Sequence, residues 1–150
     1  MIGMAFFVAG CASSKGGAEY SANSGTEERN DPAKVESVVI DATRPPEKPT
    51  GITITDIRAS GDTLLVDVTY SGGCKPHDFK LYSTGMWMKS MPPKVNVWLS
   101  HIAVEPDPCR QLMKENLKFI IKPLRYRGNE KVVVLMQGTA LQTDYSYTKD

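Results

Sequence analysis

Past Thr50 the apolar and polar positions alternate in short runs separated by Gly, Pro, Asn and Asp, a pattern of strands joined by tight turns. Ile52-Thr53-Ile54-Thr55-Asp56-Ile57 is rich in β-branched residues, and Ser60-Gly61-Asp62 supplies a turn. Leu64, Val66, Val68 and Tyr70 then share one face, with Asp67 and Thr69 on the other, so these two runs form the clearest hairpin. Phe79-Lys80-Leu81-Tyr82 is a third short strand. The run from Lys94 to Val104 is the longest, with Val95, Val97, Leu99, His101 and Ala103 on one face. Trp98, Ile102 and Val104 make its other face partly apolar as well, which predicts cover on both sides. Leu117, Phe119 and Ile121 alternate with Lys118, Ile120 and Lys122 until Pro123. Val132 to Met136 and Ala140 to Tyr147, divided by Gly138, complete the strands. Cys109 to Asn116 reads as the helical stretch, with Asp107 as N-cap and Pro108 at the first helical position. About seven strands and one short helix predict an all-β, antiparallel, immunoglobulin-like sandwich over residues 51–150.

The chain before Thr50 has a different character. Residues 1–10, Met-Ile-Gly-Met-Ala-Phe-Phe-Val-Ala-Gly, are uncharged and run into Cys11, Ala12, Ser13 and Ser14. Such a run is too short for a membrane-spanning helix, which needs about 20 residues, and has the form of a signal peptide's apolar region. It lacks the Lys or Arg that normally precedes one, which leaves open whether Met1 is the true start. Residues 11–50 contain few large apolar side chains and end in the cluster Pro45-Pro46-Glu47-Lys48-Pro49. A segment of this kind buries too little surface to offset its ordering entropy and reads as a flexible tether. Val35 to Ile40 is its exception and a candidate edge strand.

Composition adds limits rather than a function. The chain has 150 residues, 41% hydrophobic and 23% charged, with a formal net charge of +1. That length suits one domain, and its scattered Lys and Arg argue against nucleic acid as a partner, which selects dense basic patches. A small core also raises the worth of a covalent or metal staple.

The chemistry-bearing residues concentrate between Ser71 and Cys109, which include both histidines and two of the three cysteines. Outside the cytoplasm, where disulfides persist, Cys74 and Cys109 are expected to form a bridge. It would close a loop of about 36 residues and stabilise the fold by about 3–4 kcal/mol in the chain-entropy model. The alternative is a metal site: Cys74, His77, His101 and Cys109 offer two thiolates and two imidazoles, a set suited to zinc or copper. A third reading makes Cys74 a nucleophile with His77 or His101 as base, but it needs a free thiolate. With no nucleophile elbow, P-loop or dinucleotide-binding glycine pattern in the sequence, the expected role is non-catalytic. Met86-Trp87-Met88 and Met91-Pro92-Pro93 are either a sulfur-rich contact patch or an end cap of the sandwich. Arg125 to Lys131 reads as a charged hairpin turn, and Tyr126, Tyr145 and Tyr147 as half-buried strand residues.

Val8-Ala9-Gly10-Cys11 resembles the lipobox of bacterial lipoproteins, which implies an acylated Cys11 as the mature N-terminus. The block Ser71-Gly72-Gly73-Cys74-Lys75-Pro76-His77-Asp78-Phe79, with the later run from Pro92-Pro93 through His101 to Cys109, is similar to a group of uncharacterised lipoproteins from Bacteroidota. The resemblance implies no activity. It implies a cell-envelope protein, held at the membrane through its lipid and available to an envelope protein partner. No acidic run follows Cys11, so an outer-membrane location facing the periplasm is expected rather than surface export.

Overall fold

The structure is a computed structural model that describes residues 34–43, 51–103 and 105–148. The leader, Cys11 and most of the tether lie outside the described residues. Among the described residues the chain forms nine strands: β1 (Glu36–Ser37), β2 (Val39–Ile40), β3 (Ile52–Ser60), β4 (Thr63–Gly72), β5 (His77–Met88), β6 (Lys94–Ala103), β7 (Gln111–Ile120), β8 (Lys131–Met136) and β9 (Gln142–Ser146). They stack as two sheets, one ordered β1-β7-β4-β3 and the other β2-β5-β6-β8-β9. The all-β sandwich expected from the alternating pattern is what the chain builds.

The β3–β4 hairpin pairs from Ile52↔Tyr70 to Ser60↔Thr63, with a bulge between Ile54 and Asp56. Leu64, Val66, Val68 and Tyr70 of β4 point into the core, facing Leu81 of β5, Val95, Val97 and Leu99 of β6 and Val132 and Val134 of β8. Four ladders are antiparallel, whereas β6 and β8 run parallel. The chain explains that pairing: it leaves β6, descends the opposite sheet as β7 and re-enters as β8 in the direction of β6. The second face of β6 turns outward, with Asn96, Trp98 and Ser100 half-buried and Ile102 exposed, so the described residues do not supply the cover expected on both sides.

Two expectations are corrected. The stretch from Cys109 to Asn116 is not helical: Gln111–Ile120 is strand β7, paired residue by residue with β4 from Gly72↔Gln111 to Thr63↔Ile120. Gln111, Leu112, Met113, Lys114 and Glu115 are helix formers in isolation, but the adjacent strand offers a ten-residue ladder. Met113, Glu115, Leu117 and Phe119 are the more buried set, so the period here is 2, not 3.6. The helical turn lies later, at Lys122–Leu124, a 3-10 turn that buries Leu124. The third strand is also longer than Phe79 to Tyr82. It runs on as β5 through Met88, with a shift of register between Ser83 and Trp87.

The segment from Val35 to Ile40 joins both layers. β1 pairs in parallel with β7 and β2 with β5, while Val38 between them is 5% exposed and packs in the core. In the Met-rich stretch, Trp87 packs against the core and tilts over Tyr126 at 5.2 Å, whereas Met86 and Met91 are exposed.

The register of β7 makes a testable contrast. Leu64→Ala, at a position with no exposure, should cost about 2–5 kcal/mol in chemical denaturation. Leu112→Ala, at 67% exposure, should lie within about 0.5 kcal/mol of the parent. A large loss at Leu112 would contradict the β7 register.

Candidate functional site

The ends of β4, β5 and β6 and the loops that follow them bring the sequence-predicted residues together at one end of the sandwich. Cys74, in the loop between β4 and β5, and Cys109, in the loop between β6 and β7, form a disulfide with their Cα atoms 5.7 Å apart. Both sulfurs are thus engaged with each other, and neither is a thiolate available to a metal or a substrate.

The histidines lie just inside the bridge. His77 begins β5 and His101 pairs across with Phe79, so both imidazoles lie on the core face. Their rings stack at 4.9 Å, and His77 Nδ1 is 2.7 Å from His101 Nε2. Phe79 stacks on the His101 ring at 4.9 Å, and Tyr70 from the opposite sheet tilts over His77 at 4.7 Å. The Tyr70 hydroxyl donates to Glu115 of β7.

The residue that organises this corner is Asp107, which the sequence suggested only as a helix cap. Its Oδ2 accepts from the backbone N–H groups of Gly73 (2.9 Å), Cys74 (3.1 Å) and Lys75 (3.1 Å), and lies 3.2 Å from His77 Nε2. Its Oδ1 accepts from the N–H of Cys109 at 2.8 Å, closing an Asx turn. The side chains of His77 and Asp107 are only 5% and 4% exposed. Burial alone would push the Asp107 carboxyl up, but the donors from Cys109, His77, Lys75 and Cys74 outweigh it and hold the group well below the usual carboxylate range. An ionised carboxylate only accepts, so His77 carries a proton on Nε2 and donates it to Asp107, while its Nδ1 is in hydrogen-bond contact with His101 Nε2. Asp107, His77 and His101 thus form a continuous hydrogen-bond chain.

Two glycines make room for it. A Cβ on Gly72 would stand 2.7 Å from His77 Nε2 and 2.9 Å from Asp107 Oδ2. Gly73 has φ of +115°, a conformation that turns successive N–H groups toward one acceptor. The Gly-Gly-Cys part of the sequence block is therefore the cradle of the carboxylate.

A second polar cluster, unforeseen from the sequence, ties the sheets elsewhere. Asp62 in the β3–β4 turn holds Arg125 through both carboxylate oxygens (3.0 and 2.9 Å) and accepts from the Tyr145 hydroxyl. Arg125 also lies over the Tyr147 ring at 5.4 Å. Tyr145 is fully buried rather than half-buried. That burial, reinforced by the bond to Asp62, pushes its phenol up to about 12. Arg125 is therefore a sheet-to-sheet clamp and not simply a charged turn residue. A shallow concavity lined by Glu130, Lys131, Ser146, Tyr147 and Thr148 includes none of the histidine cluster, which is a buried network rather than a pocket wall.

The fold class defined by these features is a two-layer β-sandwich closed at one end by a disulfide. No protein-family model matches the chain, and the search of curated proteins gives no match. Among solved structures, the chain is similar to a NigD-like immunity protein from Bacteroides caccae, with a TM-score of 0.52 and 18% identity over 75% of this chain and 64% of that one. It is also similar to a protein from Parabacteroides distasonis described as toxin-related, with a TM-score of 0.50 and 15% identity over 75% of this chain and 61% of that one. A structure from Bacteroides fragilis described as a candidate lipoprotein aligns with a TM-score of 0.49 and 10% identity over 77% of this chain and 70% of that one. The chain spans less than two thirds of the length of the first two, and identities this low show a shared fold alone.

The depressed Asp107 carboxyl fixes a pH dependence. Its contribution to stability is fully present above the ordinary aspartate value of about 3.9 and is lost as pH falls through its lower folded value. The stability gap between the parent and Asp107→Asn should therefore hold constant above about pH 5 and shrink below about pH 4 in denaturant titrations. A gap that stays constant throughout the acid range would contradict an ionised, hydrogen-bonded Asp107.

Proposed function

We propose that the chain is a non-catalytic cell-envelope lipoprotein, anchored through an acyl group on Cys11 and presenting its sandwich as a binding or structural module. The observation that carries this reading is the combination of an apolar leader ending at Cys11 with a disulfide in the domain that follows. The first routes the chain out of the cytoplasm, and the second belongs to the oxidising compartment it would reach. Among the described residues no helix is long and apolar enough to cross a membrane, and a lipid on Cys11 would provide attachment without one.

The neighbours' descriptions support protein recognition as the kind of binding. One is described as a NigD-like immunity protein and another as toxin-related, and a sandwich of this class offers loops and sheet edges on which to recognise an envelope protein. Because no acidic run follows Cys11, we infer that the domain lies at the outer membrane facing the periplasm, where protease added to intact cells would leave it uncut.

Cys11→Ser tests the anchor. In a bacterial envelope host, the parent should sediment with membranes and incorporate labelled palmitate. The variant should lose the label and stay out of the lipid phase in detergent partitioning. Unchanged labelling and partitioning would refute Cys11 as the anchor.

A further inference from the structure

We propose that opening the Cys74–Cys109 bridge turns this corner into a zinc site made by Cys74, Cys109, Asp107 and His77. The inference concerns the domain itself and stands whether or not Cys11 is acylated.

Three of the four ligands already converge, and the fourth is hydrogen-bonded to one of them. The two Sγ atoms and a carboxylate oxygen of Asp107 all lie within 4.8 Å of one another. The fourth atom, His77 Nε2, is 3.2 Å from Asp107 Oδ2. In a tetrahedral zinc site, with Zn–S of about 2.3 Å and Zn–N or Zn–O of about 2.0–2.2 Å, neighbouring ligand atoms are separated by about 3.2–3.8 Å. The histidine-to-aspartate contact already has that spacing; closing the site requires the sulfurs to part from bonding distance and the His77 ring to swing toward them.

The bridge is not the only tie between the loops that carry the sulfurs. Asp107, on the Cys109 side, holds the N–H groups of Gly73, Cys74 and Lys75, and Lys75 Nζ reaches Glu105 at 2.7 Å. Reduction therefore leaves the two thiols facing each other across the carboxylate. Cys74 is exposed and Cys109 half-buried, so a reductant can reach the bond.

The chemistry balances. A dithiol reductant gives two electrons and two protons to the bridge, yielding two cysteine thiols and its own disulfide. Zinc then displaces both thiol protons to solvent and binds two thiolates, the Asp107 carboxylate and a neutral imidazole. For His77 Nε2 to bind metal, that ring moves its proton to Nδ1 and donates it to His101 Nε2, and His101 carries its own proton on Nδ1. The 2.7 Å contact between the rings then orients the ligand, so His101 is a positioning residue and not a ligand. The set differs from one drawn from both histidines because His101 lies against the opposite nitrogen of the His77 ring from Asp107.

The test uses the full chain carrying Cys11→Ser, so that only Cys74 and Cys109 contribute thiols. Zinc is titrated into the oxidised chain and into the chain reduced by a phosphine, with cobalt as the spectroscopic probe. The reduced chain should bind one zinc and show thiolate-to-cobalt charge transfer with tetrahedral ligand-field bands, and the oxidised chain should show neither. Asp107→Asn and His77→Gln should each weaken zinc binding by about tenfold or more. Zinc binding by the reduced chain no greater than that of the Cys74→Ser/Cys109→Ser variant would overturn the proposal. So would undiminished affinity in both Asp107→Asn and His77→Gln, or loss of the β-sheet circular dichroism on reduction that zinc does not restore.

Discussion

The Asp107 carboxylate sets the geometry of the disulfide end. Four backbone N–H groups and one imidazole converge on its two oxygens, drawing the β4–β5 loop onto the β6–β7 loop. A buried carboxylate is costly unless its acceptor sites are filled, and here loop backbone fills them. The bridge between Cys74 and Cys109 and the stacked histidines lie around that convergence, and the absence of a side chain at Gly72 leaves room for it.

Asp62 has the same role elsewhere in the sandwich. It joins the β3–β4 turn to Arg125 after the 3-10 turn and to Tyr145 on β9, and so couples one sheet to the other. Between these two carboxylates lies an aliphatic interior of Leu64, Val66, Leu81, Val95, Val97, Leu99, Val132 and Val134. Burial of that interior supplies the drive to stack two sheets, while the directional polar bonds fix which loops meet. The chemically distinctive residues thus lie where the loops meet rather than in the interior.

The layered all-β architecture was legible because its carriers repeat with period 2: Leu64, Val66, Val68 and Tyr70, or Val95, Val97 and Leu99, can face a core only as strands. The identity of β7 was not. Its first half is rich in helix formers, and what decides its state is a ladder with β4, whose paired residues lie 39 to 57 positions earlier and which local reading does not weigh. The pairing of Cys74 with Cys109 was readable from cysteine number and compartment. Asp107 was hidden because an aspartate before proline looks like an ordinary cap or turn, and its partners are backbone amides, which have no sequence signature. The Gly-Gly before Cys74 was the available signal: paired glycines without a side chain mark a close backbone approach. Full burial of Tyr145 is invisible to local reading for the related reason that its hydroxyl partner, Asp62, lies 83 positions away.

On this account the domain is a covalently closed sandwich suited to the cell envelope, with a corner whose organisation comes from a carboxylate as much as from the disulfide. The most direct measurement is amide hydrogen exchange at Gly73, Cys74, Lys75 and Cys109, read residue by residue in the oxidised chain, the reduced chain and Asp107→Asn with its bridge intact. The account predicts that these four amides remain protected after reduction and lose protection in Asp107→Asn. Protection that disappears on reduction yet survives in Asp107→Asn would contradict it, and would make the disulfide alone the organiser of this end of the molecule.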